Sequence, residues 1–288
     1  MSTEIRPRRS VLYMPSSNTK ALEKAKTIPC DAIIFDLEDA VAPDAKPTAR
    51  EQAVTAATSG AYGRRELTIR CNALTTPWGR DDLAAAAQAR PSAVVIPKVT
   101  GTAELDQVAA TLDAAGASAT AIWAMIENPT AIFDVRSIAR HPRVAVLVMG
   151  TNDLAKEIGA PLVPGRANLV PYLAWAVLAA REAGKAILDG VYNDIGNTDG
   201  FAAECRQGVE MGFDGKTLIH PSQVEPANTA WSPSPEEVEF SRRVIEAFEA
   251  AEAEGRGVIT VDGKMIEHLH VANARRTLAI ADAIAALG

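Results

Sequence analysis

The chain has 288 residues, 48% of them hydrophobic and 23% charged, and this composition excludes a disordered or fibrous protein. A formal net charge of −7 argues against general binding to nucleic acid, because the chain would repel a polyanion. The N-terminus is charged, and the longest apolar run, residues 169–180, is too short to cross a bilayer, so no membrane association is expected. Three cysteines without metal-binding spacing favour a reduced, cytoplasmic protein over a disulfide framework.

Short runs rich in Val, Ile and Leu recur along the chain, and most are followed by a longer Ala-rich segment that carries charges. This alternation predicts strands separated by helices. Eight strands with their helices in about 220 residues predict an α/β fold, a closed TIM (β/α)8 barrel. A doubly wound open sheet is the alternative, because both folds bury their strands on two faces. The eight strand candidates are SVLYM, AIIFD, LTIRC, AVVIP, AIWAM, VAVLVM, AILDG and KTLIH.

The alternation ends after His220. The following stretch, HPSQVEPANTAWSPSPEEVEF, is rich in proline and reads as a connection, and it leads into a charged helix, the segment VITVDGKMIEHLH and a last helix. We therefore predict a barrel catalytic domain over residues 1–225. Residues 226–288 are predicted to form a C-terminal helical segment that acts as a lid or an oligomer contact.

Acidic residues follow several of the predicted strands, at the end where a barrel builds its active site. Converging carboxylates raise each other's pKa and need a cation or basic partners. Mg²⁺ is bound in proteins by one or two carboxylates, with water and substrate completing its shell. Glu127 and Asp153 are the predicted ligand pair, and Asp36 is predicted to orient a metal-bound water. The alternative for each acid is a helix cap or an ion pair. The acids at strand ends are Asp36, Glu38, Asp39, Glu127, Asp153 and Asp189.

The stretch FDLED also approaches the D-x-D motif with which haloacid-dehalogenase-type phosphatases present a nucleophile and an acid. Here the second position is Glu38 rather than Asp, and the strand is the second of eight in a regular repeat. The sequence therefore favours the metal-site interpretation.

Motifs along nearly the whole chain resemble the citrate lyase beta subunit-like, or HpcH/HpaI aldolase, family of CoA-thioester lyases. The resemblance implies a TIM barrel and a homotrimer or hexamer in which the C-terminal segment covers a neighbouring subunit's site. It also implies Mg²⁺, with Mn²⁺ as the alternative, held by Glu127 and Asp153, and substrate contacts from Arg70. The motifs are RRSVLYMPSSNTKALEKA, DAIIFDLEDAVAPDAK, IRCN, VIPKV, MIEN, VMGTNDLAKE, GFDGKTLIHPSQ and DGKMIE.

The activity that this resemblance implies is retro-Claisen cleavage of (3S)-malyl-CoA, or a related 3-hydroxyacyl-CoA, to glyoxylate and acetyl-CoA. Hydrolysis of malyl-CoA to malate and CoA is one alternative. A citrate lyase beta subunit that works in a complex, and an aldolase acting on a 2-oxo acid without CoA, are the others.

Roles in this chemistry can be assigned to particular side chains. Arg70 is expected to stabilise the enolate of the thioester, while Asp36 and Glu38 hold metal-bound waters and basic neighbours in place. Lys98 is expected to neutralise the acids. The family's C-terminal segment usually supplies a catalytic Asp, but this chain has Glu267 there, and the longer side chain moves the carboxylate enough to alter proton transfer. In this position the chain resembles the thioesterase branch of the family, which also carries Glu, and that resemblance implies hydrolysis as a further outcome.

The remaining predictions concern substrate binding. Arg9 and Lys20 are expected to contact the phosphates of CoA. Asn152, Ile219 and His220 are assigned to the substrate pocket because they follow strands six and eight. His220 has an equally good interpretation as a turn residue with its own hydrogen bonds.

Overall fold

The computed structural model describes residues 5–253 and 255–287. Eight parallel strands are hydrogen-bonded in chain order, and the eighth pairs with the first, so the sheet closes. The prediction of a TIM barrel is confirmed, and closure rules out the open sheet. The strands are β1 Ser10–Pro15, β2 Ala32–Asp36, β3 Glu66–Arg70, β4 Ala93–Ile96, β5 Ala121–Ile126, β6 Val144–Met149, β7 Ala186–Asp189 and β8 Gly215–Leu218.

Alternate strand residues fill the barrel interior, and the residues between them pack under the helices. Val11, Ala32, Ile34, Trp123 and Met125 belong to the inner cluster, all at most 4% exposed. Both faces of each strand are buried, which explains why the sequence shows continuous apolar runs rather than alternation. The inward rows continue to the carboxyl ends of the strands, so side chains there face the mouth of the barrel.

Helices alternate with the barrel strands. Several begin at a residue whose side chain accepts a hydrogen bond from the first helical turn, and Asn18, Asn128 and Asn197 do so for the first, fifth and eighth helices. Among the described residues, no helix combines the length and the apolar character needed to cross a membrane. The helices are α1 Thr19–Ala25, α2 Lys46–Thr58, α3 Gly79–Ala89, α4 Thr102–Ala114, α5 Pro129–Arg140, α6 Thr151–Glu157, α7 Val170–Glu182, α8 Thr198–Met211 and α9 Val224–Ala230.

The barrel with these helices forms one compact unit, Arg8–Ala230. The unit ends after α9, beyond the predicted boundary at residue 225, because α9 is tied to the barrel. Asn228 accepts a hydrogen bond from the Ser10 hydroxyl at 2.6 Å and donates to the Pro29 carbonyl at 2.9 Å.

A second compact unit comprises Met1–Pro7 and Trp231–Gly288. It contains α10 (Pro235–Ala253), an antiparallel hairpin of β9 (Ile259–Val261) and β10 (Lys264–Ile266), and α11 (His268–Ala285). Its own apolar core includes Val244, Phe248 and Ile266. Asp262 and Gly263 both have positive φ, 48° and 75°, which is the backbone that a two-residue hairpin turn requires. That this unit serves as a lid or an oligomer contact stays a prediction.

Candidate active site

A cavity of about 290 Å³ lies among the carboxyl ends of the barrel strands. This is the end at which TIM-barrel enzymes place their active sites. Arg70 and four of the predicted acids line this one cavity, and these five residues end or follow the strands β2, β3, β5 and β6. The side chains that line it include Tyr13, Asp36, Arg70, Glu127, Asp153 and Ile219.

Arg70 is buried and braced by carboxylates. Its Nε and Nη2 donate to the two oxygens of Asp36 at 2.6 and 2.7 Å, and its Nη1 lies 2.8 Å from Glu38 Oε2. Burial alone would lower the pKa of Arg70, but the Asp36 and Glu38 carboxylates raise that pKa well above its usual value. The guanidinium is therefore a permanent positive charge in a fixed orientation. An arginine has five N–H donors, so donors remain for a substrate.

Asp36 is fully occupied by the protein. Besides the two bonds from Arg70, its oxygens accept from the backbone N–H groups of Glu38 at 2.9 Å and Ala40 at 3.2 Å. These bonds form the turn that follows β2. In the structure, Asp36 therefore orients Arg70. The predicted contact of Asp36 with a metal-bound water stays a prediction.

A buried lysine that the sequence analysis missed, Lys46, forms hydrogen bonds to the turn that follows β2. Lys46 donates to the carbonyls of Leu37 at 2.9 Å and Glu38 at 3.0 Å, and to Asn72 Oδ1 at 2.7 Å. Asn72 in turn donates to Asp82 at 2.6 Å. All three Lys46 protons are used, so the segment that carries Glu38 is fixed to α2 and α3.

A signal for Lys46 was present in the sequence. Lys46 and Arg50 are four residues apart, on the helix face that also carries Ala49 and Ala53, and both alanines are fully buried. Cations that share a face with buried alanines point toward the barrel rather than toward solvent. Arg50 accordingly donates to Asp82 at 2.7 Å.

Glu127 follows β5 and is 2% exposed. Its Oε1 accepts the backbone N–H of Lys98 at 2.6 Å, whereas Oε2 has no hydrogen-bond partner among residues 5–253 and 255–287. Burial raises the pKa of Glu127 to about 7; the Lys98 bond opposes the rise, and the charges of Glu38 and Asp153 add to it. Gly150 leaves the necessary room, because a Cβ there would lie 2.2 Å from Glu127 Oε2.

Asp153 lies in the first turn of α6, is half-buried, and lines the cavity with Glu127. Within the described part of the chain its carboxylate has no hydrogen-bond partner, and no group of three or more His, Cys, Asp and Glu side chains is arranged to hold a metal. Two carboxylates suffice for Mg²⁺, which keeps several waters and takes substrate oxygens. The unpaired oxygen of Glu127 and the free carboxylate of Asp153 therefore fit this ion.

Lys98 connects two of the acids. Its backbone N–H binds Glu127, and its Nζ donates to Glu38 Oε1 at 2.5 Å. Burial lowers the pKa of Lys98, but the bond to Glu38 raises it above its usual value. The backbone of Lys98 has φ 54°, a left-handed conformation that is strained for a residue with a side chain. Strain of this kind is retained where it fixes functional groups.

Tyr13 is a second residue that the sequence analysis missed. It lies on β1 two residues beyond Val11, in the inward row, and the centre of its ring is 4.7 Å from Arg70 Cζ. Burial raises the pKa of its hydroxyl, which Arg70 lowers only in part. Its place near the carboxyl end of β1 was the available signal, because these strand ends line the mouth of the barrel.

The predicted pocket residues after β6 and β8 lie in different settings. Asn152 lines the cavity and forms a reciprocal amide pair with Asn193, at 3.1 and 2.8 Å. Ile219 lines the cavity and is 38% exposed. His220 accepts the N–H of Ser222 at 3.2 Å and begins a short 3-10 turn, in agreement with its interpretation as a turn residue.

The two side chains predicted to contact CoA phosphates, Lys20 and Arg9, lie at opposite ends of the barrel. Lys20 is exposed on α1, on the side of the barrel mouth. Arg9 directly precedes β1, at the opposite end of the barrel, and its side chain forms a two-pronged ion pair with Asp31 at 2.7 and 2.9 Å. The expectation that Arg9 contacts CoA phosphates is therefore corrected, because a residue before a strand and the cavity beyond it are a strand length apart.

Asp189 ends β7 but faces outward, away from the barrel interior. It binds Lys216 Nζ at 2.9 Å and Arg166 Nη1 at 2.6 Å, and Asp189 and Lys216 are fully buried. Burial would raise the pKa of Asp189, but Lys216 and Arg166 hold it below its usual value. The strand order placed this acid near the site, while the two-residue alternation from Leu188 turns it toward α8.

Glu267 belongs to the C-terminal unit, directly before α11. It is half-exposed, and its backbone N–H donates to Nδ1 of His270 at 3.0 Å. Its predicted catalytic role stays a prediction.

Arg70, the unpaired oxygen of Glu127 and the carboxylate of Asp153 thus line one cavity at the mouth of a closed (β/α)8 barrel, where TIM-barrel enzymes place their active sites. The sequence matches the family described as HpcH/HpaI aldolase/citrate lyase over residues 9–221. The chain belongs to this family, and the resemblance found in its motifs is confirmed.

Relatives match over the full length of the chain. A (3S)-malyl-CoA thioesterase from Cereibacter sphaeroides is 50% identical over 99% of both chains. The citrate lyase subunit beta of Escherichia coli is 35% identical over 96% of this chain and 94% of its own.

Solved structures are similar as well. The protein CitE from Mycobacterium tuberculosis, in complex with magnesium, acetoacetate and coenzyme A, is 26% identical with a TM-score of 0.79, over 96% of this chain and all of its own. A citrate lyase from Burkholderia xenovorans shares the fold, with a TM-score of 0.85 at 17% identity over 98% of this chain and 93% of its own.

Proposed function

We propose that this protein is a Mg²⁺-dependent enzyme that cleaves (3S)-malyl-CoA, or a related 3-hydroxyacyl-CoA, into glyoxylate and acetyl-CoA. One observation carries the proposal. A braced, permanently charged Arg70 and the unpaired oxygens of Glu127 and Asp153 line the same cavity. Family membership and the CoA ligand of the solved relative support a CoA thioester as substrate.

Glu127 and Asp153 would hold the ion, with water and substrate oxygens as its other ligands. When bound, Mg²⁺ supplies Lewis acidity and a template for the substrate hydroxyl and carboxylate. Mn²⁺ would serve in the same coordination. Gly150 keeps the space beside Glu127 open.

The chain's own residues account for the rest of the chemistry. The thioester oxygen becomes negative when the carbon–carbon bond breaks, and the remaining N–H donors of Arg70 stabilise that charge. Asp36 and Glu38 keep the guanidinium from turning away. Glu267 is the proposed proton donor to the enolate carbon, which completes acetyl-CoA.

Hydrolysis of the same substrate to malate and CoA is the second candidate, favoured by the 50% identity to a thioesterase. Incubation with (3S)-malyl-CoA and Mg²⁺ separates the two. Glyoxylate without free thiol indicates a lyase, and free thiol with malate indicates a thioesterase. If neither glyoxylate nor free thiol forms, the proposed function is refuted.

We further propose a cytoplasmic homotrimer or hexamer in which the C-terminal unit of one subunit completes the site of another. The three buried, unpaired cysteines agree with a reducing compartment.

Co-expressing Arg70→Met and Glu267→Ala chains, each inactive alone, tests the assembly. If Glu267 acts on a neighbour, about a quarter of the sites in a random mixture contain both groups, so about that share of activity returns. No recovery would show that each chain completes its own site.

A further inference from the structure

Tyr13 is held in the cavity by a contact with the arginine that the chemistry uses. Arg70 Cζ lies over the Tyr13 ring, 4.7 Å from the ring centre, while the carboxylates of Asp36 and Glu38 bind the N–H groups of the same guanidinium. Such stacking is favourable for arginine. Packing accounts for the ring, and a phenylalanine would supply it equally well. The hydroxyl therefore needs its own explanation.

The hydroxyl lies among charges and yet is unpaired. Within residues 5–253 and 255–287 it has no hydrogen-bond partner, although Arg70, Asp36, Glu127 and Glu38 all act on it electrostatically. The side chain lines the cavity rather than facing bulk solvent. Because the hydroxyl opens to the cavity, water can bond to it in the free protein, and a substrate oxygen bound in the cavity can take the place of that water.

We propose that Tyr13 is a catalytic residue whose hydroxyl donates a hydrogen bond to the thioester oxygen of the substrate, beside Arg70. This inference rests on the proposed function. A protonated tyrosine hydroxyl is a good donor, and the ring contact places it next to the arginine donors.

The same oxygen gains negative charge in both candidate reactions. In cleavage, the Glu267 carboxylate takes the proton of the substrate hydroxyl, and the carbon–carbon bond breaks. The electron pair of that bond moves into the enolate, whose charge rests on this oxygen, and Glu267 then returns the proton to the enolate carbon. In hydrolysis, water adds to the thioester carbon while its proton passes to the Glu267 carboxylate, and the oxygen carries the charge of the tetrahedral intermediate. The carbon–sulfur bond then breaks, and the leaving thiolate takes up that proton as CoA. Tyr13 keeps its proton throughout, so its role does not depend on which reaction occurs.

Tyr13→Phe removes the donor and preserves the ring on Arg70. We expect kcat to fall on the order of 10²-fold, as for the loss of one oxyanion donor, with the melting temperature unchanged or higher. Tyr62→Phe is the matched control, because the buried Tyr62 hydroxyl donates to the Leu22 carbonyl at 3.0 Å outside the cavity. That variant should lose stability and keep wild-type kcat. Equal kcat for Tyr13→Phe and wild type would overturn the proposal.

Binding separates this proposal from the proposed function. Calorimetry in the presence of Mg²⁺ should show acetyl-CoA binding about threefold to tenfold more weakly to Tyr13→Phe than to wild type, and CoA, which lacks the thioester oxygen, binding equally. If wild type binds acetyl-CoA but does not turn over malyl-CoA, the proposed function fails. The difference in acetyl-CoA affinity between wild type and Tyr13→Phe then decides whether Tyr13 is a donor. Equal acetyl-CoA affinity for the two proteins would then refute the donor role. If wild type neither binds acetyl-CoA nor turns over malyl-CoA, both proposals fall.

Discussion

Replacing Glu127 with Gln tests the electrostatic description of the site without using activity. Burial raises the pKa of Glu127 from 4.5 to about 7, against the bond from Lys98 and with the charges of Glu38 and Asp153. A carboxyl group with a raised pKa contributes stability that is full below pH 4.5 and is lost as the pH rises through 7. Each pH unit between the two values is worth about 1.4 kcal/mol, so metal-free wild type loses about 3 kcal/mol across this range. The Gln variant keeps the bond to Lys98 and has no charge to lose.

The measurement is the free energy of unfolding in urea, with a chelator present, at several pH values between 5 and 8. The Glu127→Gln variant should exceed wild type at pH 8 by up to about 3 kcal/mol and match it near pH 5. Added Mg²⁺ should remove most of this difference, since an ion at a hundred times its Kd stabilises wild type by about 2.7 kcal/mol and does little for the variant. Glu104→Gln, at another carboxyl whose pKa burial raises, should leave the response to Mg²⁺ unchanged. Parallel pH profiles for wild type and Glu127→Gln would refute the assignment.

Three further changes address other parts of the structure. Gly150→Ala places a methyl group on the Glu127 carboxylate, so the Mg²⁺-induced rise in melting temperature should disappear; an unchanged rise would show that this carboxylate does not bind the ion. Arg70→Met should lower kcat/KM by about 10³-fold or more and cost about 3–5 kcal/mol of stability, because Asp36 is left buried and unpaired. Adding Asp36→Asn to that variant should restore stability in urea denaturation without restoring activity. Asp189→Asn should cost a similar free energy at pH 7 and spare kcat/KM; because the pKa of Asp189 is lowered, this difference should persist down to about pH 4 and vanish as the pH falls further.

The sequence predicted which acids stand at strand ends, but it did not predict for every acid whether the side chain faces the cavity. Glu127 and Asp153 were placed at strand ends by counting strands, and the barrel brings both to one cavity. Asp189 was also at a strand end, yet it faces outward to Lys216 and Arg166. The sequence predicted that Asp189 ends the seventh strand. Whether its side chain points into the barrel or outward depends on which residues of this four-residue strand face inward. Apolar runs buried on both faces carry no such alternation.

Long-range contacts explain the residues that were missed. Tyr13 and Arg70 are far apart in sequence and meet because β1, β2 and β3 are neighbours in the barrel, in the register Pro15↔Asp36 and Asp36↔Arg70. Lys46 is a helix residue whose partners lie in loops after β2 and β3. Local patterns indicate that both side chains point toward the barrel, but they do not encode the partners, because each contact depends on closure of the sheet and on the packing of helices around it.

The sequence by itself determined the eight strands, the barrel and the family, since these follow from local periodicity and from motifs of adjacent residues. Tertiary structure alone decided which strand-end groups face the cavity, how Asp36 and Glu38 brace Arg70, and which polar atoms remain free for a substrate. The physical reason is that periodicity is a property of neighbouring residues. Hydrogen-bond satisfaction in a buried site depends on every group that the fold brings within about 3 Å.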